Sequence, residues 1–147
     1  MPLSRQTLRT HVSGLRAELG VDVCTLYLAY PAERSLEIVA TDGLSDGAIG
    51  ARLSYDQGLT GKVARTDGPV AARDIQRHPE YFHIEGSDEE QHKSYLGIPL
   101  HHDGALLGVL VVQTREKKTF FARDIKALYS VGRKLVDELT EALQQAG

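Results

Sequence analysis

Five of the six histidines fall into two groups, His78, His83 and His92 along one polar segment and His101-His102 as an adjacent pair. Imidazoles gathered in this way are the residues for a metal, haem or proton-transfer site. Their spacing matches no ligand motif, and neighbours in a strand point to opposite faces, so His101 and His102 would diverge. The competing reading has His78 capping a loop before Pro79 with the other rings solvated, and no metal and no cofactor are expected. Thiol chemistry is narrower still. Cys24 is the one cysteine, which leaves no intrachain disulfide, no cysteine zinc site and no paired-thiol redox couple. In a β-rich stretch it reads as a small buried hydrophobe. No nucleophile stands at a recognisable spacing from a base.

The remaining chemistry is recognition. Tyr27, Ser94 and Gln113 are hydrogen-bonding residues in otherwise apolar stretches. Burial obliges each to find a partner, either a ligand or the backbone and water. Asp74 can bond its own backbone to start a turn, or orient the ammonium of a ligand. Tyr81 and Phe82 can cover a pocket or anchor their own loop. Tyr27, Asp74, Tyr81, Ser94 and Gln113 are therefore the candidate ligand contacts. Gly58, Gly61, Gly97 and Gly108 serve turns or close backbone approach. They form no phosphate loop, because no Lys-Ser/Thr follows a glycine-rich strand end.

Several elements must position these residues. Leu8, Val12, Leu15 and Leu19 recur at helical spacing, which predicts a helix over 3–19 that stops at Gly20. Val21–Tyr30 and Ser35–Thr41 flank a turn at 31–34 and read as a hairpin. Ala51–Tyr55 reads as a short strand, Gly58–Thr66 as a short helix and Val70–Ala72 as another short strand. Residues 74–92 are polar and lack a period, and an ordered loop of that length is usually functional. Two apolar arms then flank Asp103-Gly104, a strong hairpin signal because both residues tolerate positive φ. Leu106–Val112 is nearly all β-branched or leucine, so it should be a central strand buried on both faces. Pro99 in the other arm predicts a bulge or an unpaired stretch there. Phe121–Gln145 reads as one long helix, with Ile125, Leu128, Gly132, Leu135, Leu139 and Ala142 as a heptad seam. The order implies an α+β fold. One antiparallel sheet would have the terminal helices on one face, and the small helix and long loop over a pocket on the other. The expected core is Val23, Leu26, Leu28, Leu36, Ile38, Val63, Leu96, Ile98, Leu107, Val109 and Val111.

Composition bounds the function. The chain has 147 residues, 41% hydrophobic and 25% charged, as expected of one globular domain over 1–147. The net charge is −3 and no basic cluster exceeds Lys117-Lys118, which argues against a nucleic-acid surface. No apolar run approaches the length of a membrane span, and no secretory signal opens the chain. A cytoplasmic, reducing location follows as an expectation.

Six motifs taken together resemble the GAF domain, a small-molecule sensory module of bacterial signalling proteins. They are VDVCTLYL (21–28), IVATDGL (38–44), DQGLTGKVA (56–64), DIQRHPEYF (74–82), SYLGIPL (94–100) and LLGVLVVQ (106–113). Within the family, the pattern is similar to the N-terminal GAF domains of nitrogen-system phosphoenolpyruvate-protein phosphotransferases (Enzyme I), which regulate autophosphorylation. Thr60 departs from it, standing where that pattern has an apolar residue, and Glu85-Gly86-Ser87-Asp88 departs by an insertion. The segment Gly58–Gly61 also resembles one that carries a cysteine in free-methionine sulfoxide reductases, where this chain has Thr60. The Asn-Lys-Phe signature of cyclic-nucleotide GAF domains is not matched at Gln113-Thr114. Bilin-binding members need a cysteine in the pocket loop, whereas Cys24 lies in the first strand.

The resemblance implies a regulatory, non-catalytic domain of a signalling or phosphotransferase protein that binds a small polar metabolite, with an amino acid such as glutamine, or 2-oxoglutarate, as leading candidates. Ligand would order the 74–92 loop and act through the terminal helices on an output domain in a longer parent protein. The narrow stripes Leu8, Val12, Leu15 and Leu128, Leu135, Leu139 predict a homodimeric four-helix bundle, with Gly132 allowing close helix approach. The alternatives are a ligand-free dimerisation module whose pocket is filled by side chains, and a reductase-like enzyme.

Overall fold

The computed structural model describes residues 5–79 and 92–146. Helix α1 (Arg5–Leu19) leads into strands β1 (Val23–Tyr30), β2 (Ser35–Asp42) and β3 (Arg52–Ser54). Helix α2 (Gly58–Thr66), β4 (Val70–Ala72), β5 (Ser94–His102), β6 (Ala105–Thr114) and α3 (Ala122–Ala146) follow. The strands form one sheet in the order β3-β2-β1-β6-β5-β4, with every pairing antiparallel. Helices α1 and α3 cover one face, here the helix face; α2 lies on the other, here the α2 face.

The β5–β6 hairpin closes through Asp103 and Gly104, with φ of 51° and 78°. Two consecutive positive values match the right-handed twist of the strands. Strand β6 is central and buried on both sides. Val109 and Val111 enter the core under α2, while Leu110 and Val112 enter the core under α1 and α3. Pro99 remains opposite Val109, and the register slips one step later, between Leu100 and His101. Strand β4 pairs with Tyr95–Gly97, so among the described residues Pro99 has no strand partner on its outer side. Helix α3 begins one residue later than the expected Phe121; the Phe121 amide donates to Asp124 Oδ2 at 2.7 Å, half of a capping box.

The helix stripes are used within the chain. Leu8, Val12, Leu15, Leu128, Leu135 and Leu139 are all buried in one cluster with Leu96, Ile98 and Leu110 of the sheet. This corrects the expectation that these leucines face a second copy: two helices side by side span the sheet and cover both stripes. Gly132 likewise serves contact with the sheet, since a Cβ there would lie 2.6 Å from Leu100 Cδ2. His11 Nε2 lies 2.9 Å from each carboxylate oxygen of Glu138, joining α1 to α3. Leu28 and Leu107, expected in the core, are only partly buried; the other nine residues of that expectation are buried.

Candidate ligand-binding face

Register determines which side chains share the α2 face. Val23, Thr25 and Tyr27 of β1 stand opposite Gln113, Val111 and Val109 of β6. These in turn stand opposite Tyr95, Gly97 and Pro99 of β5. Directly opposed residues in an antiparallel pair project to the same side. A slip in the β1–β2 ladder between Leu26 and Tyr27 brings Ile38 beside Tyr27 while leaving Thr41 beside Thr25. The result is an apolar floor around Tyr27, Val109 and Val111 with hydroxyl and amide groups at its edges.

Those polar groups are settled unequally. Thr25 Oγ1 and Thr41 Oγ1 are 2.9 Å apart, and both residues are buried. Thr60 Oγ1 of α2 lies 2.8 Å from the Tyr95 hydroxyl. Gln113 is 3% exposed, yet its side-chain amide makes no hydrogen bond among the described residues. Helix α2 is held tightly over the sheet. A Cβ at Gly61 would fall 2.8 Å from the Ser54 carbonyl oxygen and 2.7 Å from that of Tyr55, so only glycine permits this approach.

Of the five candidate contacts, Tyr27 and Gln113 lie together on this face. Ser94 does not. Two residues from Leu96 on β5, it takes the helix face; its hydroxyl donates to the Arg73 carbonyl at 2.5 Å and accepts from the Lys118 amide at 2.7 Å. It fastens β5 to the β6–α3 connection, on the opposite face from Tyr27 and Gln113. Asp74 follows β4 and pairs with Lys117 Nζ at 3.4 Å and Arg77 Nε at 3.5 Å. Those cations occupy the carboxylate that was expected to meet a ligand's ammonium. Tyr81 lies outside the described residues, as do Phe82, His83 and most of the 74–92 segment. Thr25, Thr41, Thr60 and Tyr95 are polar residues of the face that the sequence reading did not nominate. Hydroxyls inside the apolar runs were the available signal.

The histidines are dispersed. His101 Nε2 contacts Asp67 Oδ1, and His102 Nε2 lies 3.3 Å from Asp103 Oδ2. His92 is buried immediately before β5. Burial, and then the nearby Lys62 charge, hold His78 below the usual imidazole range. Among the described residues, no three His, Cys, Asp or Glu residues are placed to hold a metal ion. Cys24 is fully buried on the helix face, and its thiol is pushed far up by burial, with the Asp42 charge adding to the effect. A protonated, inaccessible sulfur is a poor nucleophile.

Residues 4–139 match the GAF domain family. The chain is 30% identical over 100 residues to the phosphoenolpyruvate-dependent phosphotransferase system protein of Escherichia coli, covering 67% of this chain and 13% of that one. It is 29% identical over 113 residues to the Nif-specific regulatory protein of Azospirillum lipoferum, covering 74% of this chain and 18% of that one. The match thus spans less than a fifth of each relative. Among solved structures, the GAF domain of a phosphoenolpyruvate-protein phosphotransferase from Coxiella burnetii superposes with a TM-score of 0.88 at 30% identity, covering 97% of this chain and 85% of that one. A free methionine-R-sulfoxide reductase from Neisseria meningitidis shares the fold, with a TM-score of 0.79 at 22% identity over 96% of this chain and 80% of that one.

Proposed function

The chain belongs to the GAF domain family, and from that premise we propose that it is a regulatory sensor that binds a small polar metabolite on the α2 face. The observation that carries this reading is Gln113, a residue 3% exposed on this face whose side-chain amide makes no hydrogen bond to the described residues and is not among the polar groups sealed from solvent. An amide both donates and accepts, so it suits a ligand that presents an amide, hydroxyl or carboxyl group. No Lys or Arg is among the buried described residues, so any charged ligand group would have to lie at the rim, and the interior of the floor suits a neutral polar end. An amino acid with a neutral polar side chain, glutamine foremost, fits it.

The relay is proposed to run through the sheet. Tyr27 and Gln113 face the site, while their neighbours Leu26 and Val112 pack under α1 and α3. A ligand that bound one arrangement of these strands better would shift the population of helix arrangements by its differential affinity. Output domains in a longer protein would read that shift, as the partial coverage of the relatives suggests. A homodimer is proposed through the outward faces of α1 and α3, since the leucine stripes are enclosed. A cytoplasmic, non-catalytic role fits Cys24 lying on the face away from the site. Among the described residues, no helix is long and apolar enough to cross a membrane.

A second reading is a ligand-free module, which the Tyr95 ring packed over Gly97 favours. Thermal-shift screening against amino acids, oxo acids and nucleotides, followed by calorimetry, separates the two. A specific ligand raises the melting temperature by mass action. We expect L-glutamine to do so in the native chain and not in Gln113→Leu. No response across the whole panel would overturn the sensor reading in favour of the ligand-free module.

A further inference from the structure

Helix α3 meets the outer end of β5 along one stripe. Tyr129, Gly132, Arg133, Val136 and Asp137 recur at spacings of three and four, so they share one side of the helix. With Pro99, Leu100 and His101 of β5 they line a cavity of about 340 Å³, within the size range of small-molecule sites. The cavity has two causes. Strand β4 pairs with Tyr95–Gly97, so among the described residues no strand covers β5 beyond that point. Gly132 rests against Leu100 without a side chain of its own, and Tyr129 and Val136, about one turn before and after it, are only partly buried.

The lining is apolar at Pro99, Leu100 and Val136, with the exposed side chains of Arg133 and Asp137 at the rim. Neither charged side chain makes a hydrogen bond or ion pair among the described residues. Four positions apart, with Cβ atoms about 5–6 Å from each other, they could pair, but a cation N-terminal to its anion is the weaker order on a helix. The Tyr129 hydroxyl also makes no hydrogen bond among the described residues. Burial, and then the Asp67 charge, push that hydroxyl up, so it stays protonated and able to donate. His101 is joined to Asp67, and that pair adds no net positive charge. The lining thus offers one free cation and one free anion, a balance that suits a zwitterion and not a phosphate or other polyanion.

We propose that this cavity is a second ligand site, for a free α-amino acid with an apolar side chain. Arg133 takes the carboxylate through paired N–H donors, with the Tyr129 hydroxyl as a further donor, and Asp137 takes the ammonium. The side chain lies on Pro99, Leu100 and Val136 and leaves water there. A bound amino acid would tie the outer end of β5 to α3. The inference is independent of the reading of the α2 face, since neither Tyr27 nor Gln113 lines this cavity.

The test is L-leucine titrated into the native chain, followed by amide chemical shifts and by calorimetry. Binding should shift the amides of His101, Gly132 and Arg133. Arg133→Gln and Asp137→Asn should each keep the native melting temperature and weaken L-leucine by about 5-fold or more. Gln113→Leu should leave its affinity unchanged. N-acetyl-L-leucine and L-leucinamide each lack one of the two charges, and both should bind more weakly than L-leucine by a similar factor. No binding of L-leucine overturns the inference, and so does binding that both charge variants or both capped probes leave unchanged. Binding that only Gln113→Leu abolishes overturns it as well, and moves the amino acid to the α2 face.

Discussion

A methyl group added to Gly132 of α3 would fall 2.6 Å from Cδ2 of Leu100 on β5, so this glycine sets how closely the C-terminal helix lies on the sheet. Gly132→Ala gains up to about 1 kcal/mol of helix propensity but must push the buried Leu100 aside. Gly132→Val has no such compensation and adds bulk. We expect Gly132→Val to lose about 1–3 kcal/mol relative to Gly132→Ala, read from urea midpoints. Equal midpoints would mean that α3 can stand off the sheet freely.

Leu135 lies in the same seam and is fully buried. Placing a carboxylate there strands a charge against Leu128 and the sheet. Leu135→Glu should cost at least about 3 kcal/mol and abolish cooperative melting, rather than yield a well-folded monomer. Circular dichroism with sedimentation separates these outcomes.

The Thr60–Tyr95 contact makes a distinct stability prediction. Each single variant, Thr60→Val or Tyr95→Phe, leaves one buried hydroxyl without this partner and should lose about 1–3 kcal/mol. The double variant should lose less than the sum, giving a coupling of about 0.5–3 kcal/mol in a double-mutant cycle. Additive losses would show that the two hydroxyls do not interact in solution.

Cys24 predicts a pH effect. Burial raises its thiol above the ordinary value of 9.0, so above that pH the unfolded chain releases a proton that the folded chain keeps. The unfolded state then binds fewer protons, and stability falls as pH rises. Its contribution is fully present below 9.0. Between about pH 8 and about pH 10, the native chain should lose more stability than Cys24→Ala does. A matching loss in both would place the thiol in contact with water.

The candidate face was only half legible in the sequence, and the reason is local. Asp103-Gly104 was readable as a turn, and counting back evenly from His102 opposite Ala105 would pair Ser94 with Gln113. The slip between Leu100 and His101 inserts one residue, so Tyr95 takes that place and Ser94 turns to the helix face. A bulge of one residue reverses the side of every position beyond it. Pro99 signalled an irregularity nearby but not its exact step. By contrast, α2 was legible to the residue because Gly58 and the αL Asp67 bound it on both sides. The leucine seam of α3 was visible too, but periodicity alone does not say whether a sheet or a second helix faces it.

Sheet order also bears on how the chain assembles itself. Strands β1, β2 and β3 form one meander and β4, β5 and β6 another, and the two share a single ladder, Val23–Leu28 against Gly108–Gln113. That ladder joins residues 80 to 90 positions apart, whereas the hairpins beside it close locally. Loop-closure entropy therefore places its formation late and makes it the slow step of folding. During synthesis, β1 must wait with an open edge until β6 has emerged. The floor that holds Tyr27 beside Val109 comes into being at that moment, as the two halves are zipped together.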